Sequence, residues 1–252
     1  MTSPAPLARR LLAEFVGTAL LVTVVVGSGI AAERLSPDDV GLQLLQNSIA
    51  TALGLTVLIL LLGPVSGAHL NPVISLADWF MGRRAGRGLR ATDLGAYVGA
   101  QVLGAVGGAV LANAMFDVGT AISGKDRFTA AQGLGEVVAT AGLVALVFAL
   151  ARTGRGALAA PAVGAYIGGA YWFTSSTAFA NPAVTVGRVF SDTFAGIAPG
   201  SVPGFLTFQL IGLVAGVALT LALYPDAGQR TDEVVIPRDP NAQHAPETVR
   251  VS

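Results

Sequence analysis

The sequence predicts an all-α membrane protein: six transmembrane helices and two re-entrant half-helices, arranged as an inverted repeat. Three observations lead there. The 252 residues are 53% hydrophobic and only 12% charged, about half the charged share of an ordinary soluble domain (about 25%), and the mean hydropathy is +0.66. The charges fall between long apolar runs, each of a length that reads as a membrane span. The same polar signals then recur, in the same order, in the two halves of the chain.

Six apolar segments cover residues 11–30, 44–62, 92–115, 133–151, 158–178 and 204–224. Backbone groups in lipid must be paired within the segment, so each is read as a helix. Small residues are dense within them (Gly95, Gly99, Gly104, Gly107 and Gly108, then Gly164, Gly168 and Gly169). In a membrane such residues let neighbouring helices approach closely, which predicts a tight bundle. The first span is too long for a signal core and is not followed by a small-residue cleavage site, so it is expected to be retained.

Basic residues set the orientation. Arg9 and Arg10 precede the first span, Arg83, Arg84, Arg87 and Arg90 lie between the second and third, and Arg152 and Arg155 between the fourth and fifth. The opposite connections hold Arg34, then Lys125 and Arg127, then Arg188. This asymmetry predicts a multi-pass protein of the cell (inner or plasma) membrane with both termini in the cytoplasm. Residues 1–10 form a cytoplasmic lead-in, 11–224 the membrane domain, and 225–252, rich in Pro, Asp, Glu and Gln, a disordered cytoplasmic tail.

The repeat is the most informative feature. Residues 11–115 carry Glu14 early in a span, then Asn71-Pro72-Val73, then Gln101 and Gly104; residues 133–224 carry Glu136, then Asn181-Pro182-Ala183, then Gln209 and Gly212. Three spans per half is an odd number, so the halves enter the membrane from opposite sides, and such repeats place a functional site near the midplane. Asn is a favoured helix N-cap and Pro suits the first helical position. Each Asn-Pro therefore starts a short apolar helix that is too short to span and re-enters the membrane halfway.

On these residues the chain resembles the major intrinsic protein family, the aquaporins and glycerol facilitators. The resemblance runs from about Leu11 to Tyr224 and rests on Ala13-Glu14-Phe15-x-Gly17-Thr18, Ser66-Gly67-x-His69-x-Asn71-Pro72, Ala100-Gln101-x-x-Gly104-Ala105 and Asn181-Pro182-Ala183. It implies an aquaporin-like fold in which the half-helices meet end to end, with the amides of Asn71 and Asn181 turned to the passing solute. The positive ends of two helix dipoles then meet at one point, a barrier to protons and cations. The carbonyls of Gly67, Ala68 and His69 would line the path as acceptors. Glu14 and Glu136 are read as structural carboxylates that satisfy N–H groups of the re-entrant loops, and Thr18, Gln101 and Gln209 as packing and polar glue. A homotetramer is implied by the family alone.

The chain departs from the family pattern in its outer constriction. Val73 stands where alanine is usual, a mild change. Val184 stands where the family usually has arginine, and Thr185 where glycerol facilitators commonly have aspartate. Carrying the other three constriction positions across by spacing gives Thr51 (or Leu53, if the second span holds a gap), Gly169 and Ala178. A filter of Thr51, Gly169, Ala178 and Val184 would be wide, weakly polar and free of arginine. It resembles a bacterial aquaglyceroporin branch associated with arsenic resistance, which implies passage of metalloid hydroxides such as arsenous acid (arsenite) as well as glycerol and water. Arg188, four residues on, folding back to substitute is the competing reading.

Other classes fare less well. The formal net charge of zero offers no basic stripe for nucleic acid. With no cysteine and only His69 and His244, neither a disulfide framework nor a metal site is supported, and no cofactor motif occurs. The expected partners are small neutral solutes and the lipid bilayer. A water-selective pore and a coupled secondary transporter stay as alternatives, the latter with Glu14 and Glu136 as its candidate ion-binding groups. No nucleophile–base pair supports an enzyme.

Overall fold

The computed structural model describes residues 5–83 and 88–225. Among these, the chain forms only helices: α1 (Leu7–Leu35), α2 (Val40–Ser66), α3 (Pro72–Gly82), α4 (Ala91–Met115), α5 (Ala130–Arg152), α6 (Ala159–Phe173), α7 (Pro182–Gly187) and α8 (Val202–Leu223), with short 3₁₀ turns between some of them. The tail expected at 225–252 lies outside the described residues apart from Pro225.

Helices α1, α2, α4, α5 and α8 are long and apolar enough to cross a membrane. α6 has 15 residues and is extended at its start by the 3₁₀ turn Gly156–Leu158. At helical rise the two together reach about 28 Å, close to the hydrocarbon thickness of a bilayer. The fifth span is shorter than the apolar run suggested, because helix gives way to extended chain at Thr174. α2 and α5 begin ahead of their apolar runs, at capping residues. Asp39 Oδ1 accepts from Leu42 N at 2.9 Å to start α2, and the Thr129 hydroxyl accepts from Gln132 N to start α5. α2 ends at Gly67, whose φ of 88° is the left-handed cap that glycine adopts without strain.

The two halves pack by the same rule. α1 lies between α2 and α4, and α5 lies between α6 and α8; α2 and α6 join the halves. A Cβ on Gly104 or Gly108 of α4 would strike the α1 backbone at Phe15 and Ala19; one on Gly212 or Gly216 of α8 would strike α5 at Val137 and Ala141. These four glycines set the helix spacing. Gly95, Gly99 and Gly107, expected to serve the same purpose, face open space on the outside of the bundle.

Candidate functional site

Two loops carry the chain from α2 and α6 to the half-helices α3 and α7. In each, the residues one and three places before the asparagine have left-handed backbone: Ala68 (φ 46°) and Leu70 (φ 48°), then Ala178 (φ 49°) and Ala180 (φ 46°). Residues with a Cβ rarely adopt such angles. Four of them at matched positions require partners that hold the loops in place.

Glu14 and Glu136 are those partners. Glu14 is fully buried in α1 and accepts from Ser66 Oγ (2.6 Å), His69 N (3.0 Å), Leu70 N (2.7 Å) and Gln101 Nε2 (2.8 Å). Glu136 in α5 accepts from Phe179 N (2.9 Å), Ala180 N (2.8 Å) and Gln209 Nε2 (2.6 Å). Each glutamine also reaches a half-helix hydroxyl, Ser75 or Thr185, at 3.0 Å. Gln101 and Gln209 thus tie carboxylate to half-helix in both repeats, while the Thr18 hydroxyl has no hydrogen-bond partner among the described residues. With the loop amides drawn outward to the carboxylates, the loop carbonyls are left for the cavity.

The half-helices begin as their sequence dictates. Asn71 Oδ1 accepts from Val73 N (2.9 Å), and Asn181 Oδ1 from Ala183 N (3.0 Å) and Val184 N (3.2 Å), with Pro72 and Pro182 at the first helical position. Each side chain also crosses to the opposite loop: Asn71 Nδ2 donates to Ala180 O (2.8 Å) and Asn181 Nδ2 to Leu70 O (2.7 Å). The two N-termini are therefore laced together. One amide N–H of each asparagine serves the opposite loop, and the second is available to the cavity that both residues line.

That cavity runs through the bundle past the two asparagines. Gly67, Ala68 and His69 line it beside Asn71; Thr51, Ala178 and Val184 line it towards the far face, the end of the bundle remote from Leu7 and Leu223. The His69 ring is turned away to the Ser75 hydroxyl (2.9 Å), so its backbone is what the loop can offer. Leu53 is 64% exposed on the outside of α2, which leaves Thr51 as the cavity residue there. Val73 is fully buried in the core.

Gly169 requires a correction. It sits on the outer face of α6 with open space around it. The α6 face toward the cavity carries Val163, Ile167 and Tyr171, one helical turn apart. Counting back from Asn181 assumes a fixed path between helix and asparagine, but α6 ends at Phe173 and the intervening chain is extended and turned. Tyr171 therefore replaces Gly169 in the wall, with its hydroxyl 3.1 Å from Thr51 Oγ1. The four-residue spacing of Val163, Ile167 and Tyr171, which keeps them on one helical face, was the signal that could have found it.

Arg188 lies one turn beyond Val184, on the same face, just past the end of α7. It is 3% exposed, its Nε donates to the Ala195 carbonyl, and its guanidinium lies 3.5 Å from the centroid of the Phe179 ring. Beyond it a second cavity, lined by Lys125, Asp126, Arg127 and Gln132 among others, opens to the far face. Burial, then the neighbouring Arg127 cation, hold the Lys125 ammonium below the usual lysine range. Burial likewise lowers Arg127, and the Ser201 hydroxyl beside Asp126 holds that carboxyl low. Among the described residues no His, Cys, Asp and Glu cluster could hold a metal.

Residues 1–175 match the family described as Major intrinsic protein. The chain belongs to the major intrinsic protein family. It is 50% identical over 214 residues to aquaglyceroporin AqpS of Rhizobium meliloti (strain 1021), covering 84% of this chain and 89% of that protein. It is also 39% identical over 119 residues to the glycerol uptake facilitator protein of Pseudomonas aeruginosa, covering 46% of this chain and 40% of that one. In three dimensions it matches the X-ray structure of the aquaglyceroporin from Plasmodium falciparum with a TM-score of 0.64 at 18% identity, covering 89% of this chain and 100% of the other. The last likeness shows the fold. As a major intrinsic protein, this chain is a multi-pass membrane channel for small solutes and not an enzyme.

Proposed function

We propose that the chain is a passive aquaglyceroporin-like channel whose constriction, formed by Thr51, Tyr171, Ala178 and Val184, passes glycerol, water and neutral metalloid hydroxides such as arsenous acid. One observation carries this reading: up to Arg188, no arginine, lysine or carboxylate stands among the described residues lining the cavity. A wall without fixed charge selects by size and hydrogen bonding, and metalloid hydroxides present the same hydroxyl pattern as a polyol. Asn71, Asn181 and the carbonyls of Gly67, Ala68 and His69 supply donors and acceptors at the midpoint. The Tyr171 ring and the Thr51 hydroxyl give one apolar and one polar surface, suited to a solute with carbon on one side and hydroxyls on the other. The 50% identity with an aquaglyceroporin supports the same reading.

A water-selective pore is the second reading, favoured by Tyr171, which fills space that a glycine would have left open. The coupled-transporter alternative is weakened because Glu14 and Glu136 are committed to loop amides behind the cavity. The proposal includes a homotetramer in the cell membrane, with both termini cytoplasmic and one pore per protomer in the domain 11–224. Proteoliposomes should take up trivalent arsenic at neutral pH, with or without a proton gradient. Uptake should fall at alkaline pH as the solute itself loses a proton and becomes an anion. Uptake that requires a proton gradient would favour a transporter, and water flux alone would favour the second reading.

A further inference from the structure

Arg188 is the single described residue shared by the linings of the two cavities: the pore that runs down past Asn71 and Asn181, and the vestibule on the far face. It stands at the doorway between them. The only hydrogen bond its side chain makes to the protein among the described residues is the one from Nε to Ala195 O. Its other face rests on the Phe179 ring. Among the described residues no carboxylate lies within ion-pair distance of it, so a side chain 97% buried keeps two Nη groups without a described protein acceptor at the junction.

The surroundings add to the charge. Lys125 and Arg127 line the same vestibule against one acid, Asp126. The nearby carboxylates are engaged by backbone amides, Glu33 by Phe194 N (3.2 Å) and Asp192 by Gly124 N (3.1 Å). Arg127 is itself fixed by Gly196 O (2.5 Å) and Phe194 O (2.6 Å) and lies 5.8 Å from the same Phe179 ring. Two guanidiniums thus flank one aromatic ring at the mouth of a low-dielectric passage, where a fixed charge acts with little screening.

We infer that Arg188 forms a second, charged constriction one helical turn outward from Val184, which turns back cations at the doorway and offers a hydrogen-bond donor to entering hydroxylated solutes. It rests on the proposal above that Val184 leaves the inner constriction uncharged, and it separates two tasks: size selection at Tyr171 and Val184, charge rejection at Arg188. The position follows from the local chain. α7 ends after Gly187, and the side chain four residues beyond Val184 is held by the Ala195 carbonyl and the Phe179 ring at the outer end of the pore lining.

The test compares potassium and proton leak in proteoliposomes of wild type, Arg188→Gln and Arg188→Lys, with glycerol flux read in the same vesicles. The glutamine variant should leak at least about tenfold more, a barrier change of about 1.4 kcal/mol. The lysine variant, which keeps the charge, should stay within about threefold of wild type. Arg188→Gln leaking like wild type, or Arg188→Lys leaking like Arg188→Gln, would overturn the inference, the latter by exposing a merely structural arginine. Gln132→Glu is a second handle should Arg188→Gln fail to fold. It preserves the Thr129 cap, since glutamate suits that position, and it places a carboxylate in the vestibule. Its leak should rise about threefold, and an unchanged leak would count against the doorway. A wild type that passes water but no glycerol would sink the wide-pore proposal while leaving the leak comparison decisive for Arg188.

Discussion

Replacing Val184 with arginine is expected to cut glycerol and urea flux at least about tenfold while water flux stays within about threefold of wild type. Val184 is a buried wall residue whose own N–H is tied to Asn181, so the backbone there is fixed and only the side chain changes. A guanidinium on that backbone projects into the constriction opposite Thr51 and Tyr171, where it occupies space and demands hydrogen-bond partners. It would also stand one turn from Arg188, and two like charges on one helical face repel each other. Water is small enough to pass beside the new side chain, whereas a three-carbon polyol is not. Stopped-flow light scattering on matched proteoliposomes reads both fluxes. Equal loss of water and glycerol would mean the substitution blocked the pore outright, and no loss of glycerol would remove Val184 from the constriction.

Glu136→Leu is expected to abolish a stable fold, and Glu14→Leu to do the same. Glu136 accepts from Phe179 N, Ala180 N and Gln209 Nε2, three buried donors of which two are backbone amides of the loop that positions Asn181. Each buried donor left without a partner costs about 1–3 kcal/mol. The sum over the three, roughly 3–9 kcal/mol, rivals the whole stability of a typical domain. The loops also hold Leu70, Ala178 and Ala180 at positive φ, and that strain persists only while the carboxylates over-determine it. Detergent-solubilised variants should show a broadened or aggregated elution profile and a melting midpoint lowered by many degrees. Glu→Gln at either site keeps one acceptor oxygen but turns an NH₂ toward donors, so its loss should be intermediate. A folded Glu→Gln variant with normal solute flux but altered proton dependence would instead assign these groups to a proton path.

Much of the fold was legible because membrane physics leaves few options. The spans follow from apolar length, and the half-helices from Asn-Pro at matching places. The partnership of Glu14 with the first loop and Glu136 with the second follows from the cost of a carboxylate in lipid. What was not legible depended on chain geometry that hydropathy does not encode. The polar run Thr174-Ser175-Ser176-Thr177 is a loop signal, but it lies inside a stretch of spanning length with no charge, Gly or Pro to end it, so the early end of α6 was read through. With it went the register that puts Tyr171, not Gly169, in the wall. Arg188 was hidden differently. Sequence shows that it lies one turn from Val184, but whether it bends inward or outward depends on the Ala195 carbonyl and the Phe179 ring, partners on either side of it in the chain that only the folded loops bring to it. Gly95, Gly99 and Gly107 look like Gly104 and Gly108 in the sequence, and only the rotation of α4 about its axis separates them.

Stopped-flow flux through wild-type proteoliposomes, with water, urea, glycerol and arsenous acid as solutes and empty liposomes as reference, tests the uncharged constriction most directly. Flux of glycerol and arsenous acid at least about tenfold above the lipid background, without any imposed ion gradient, is the predicted result. Water flux above background with glycerol and arsenous acid at background would contradict it, and would make Tyr171 the side chain that closes the pore to everything larger than water.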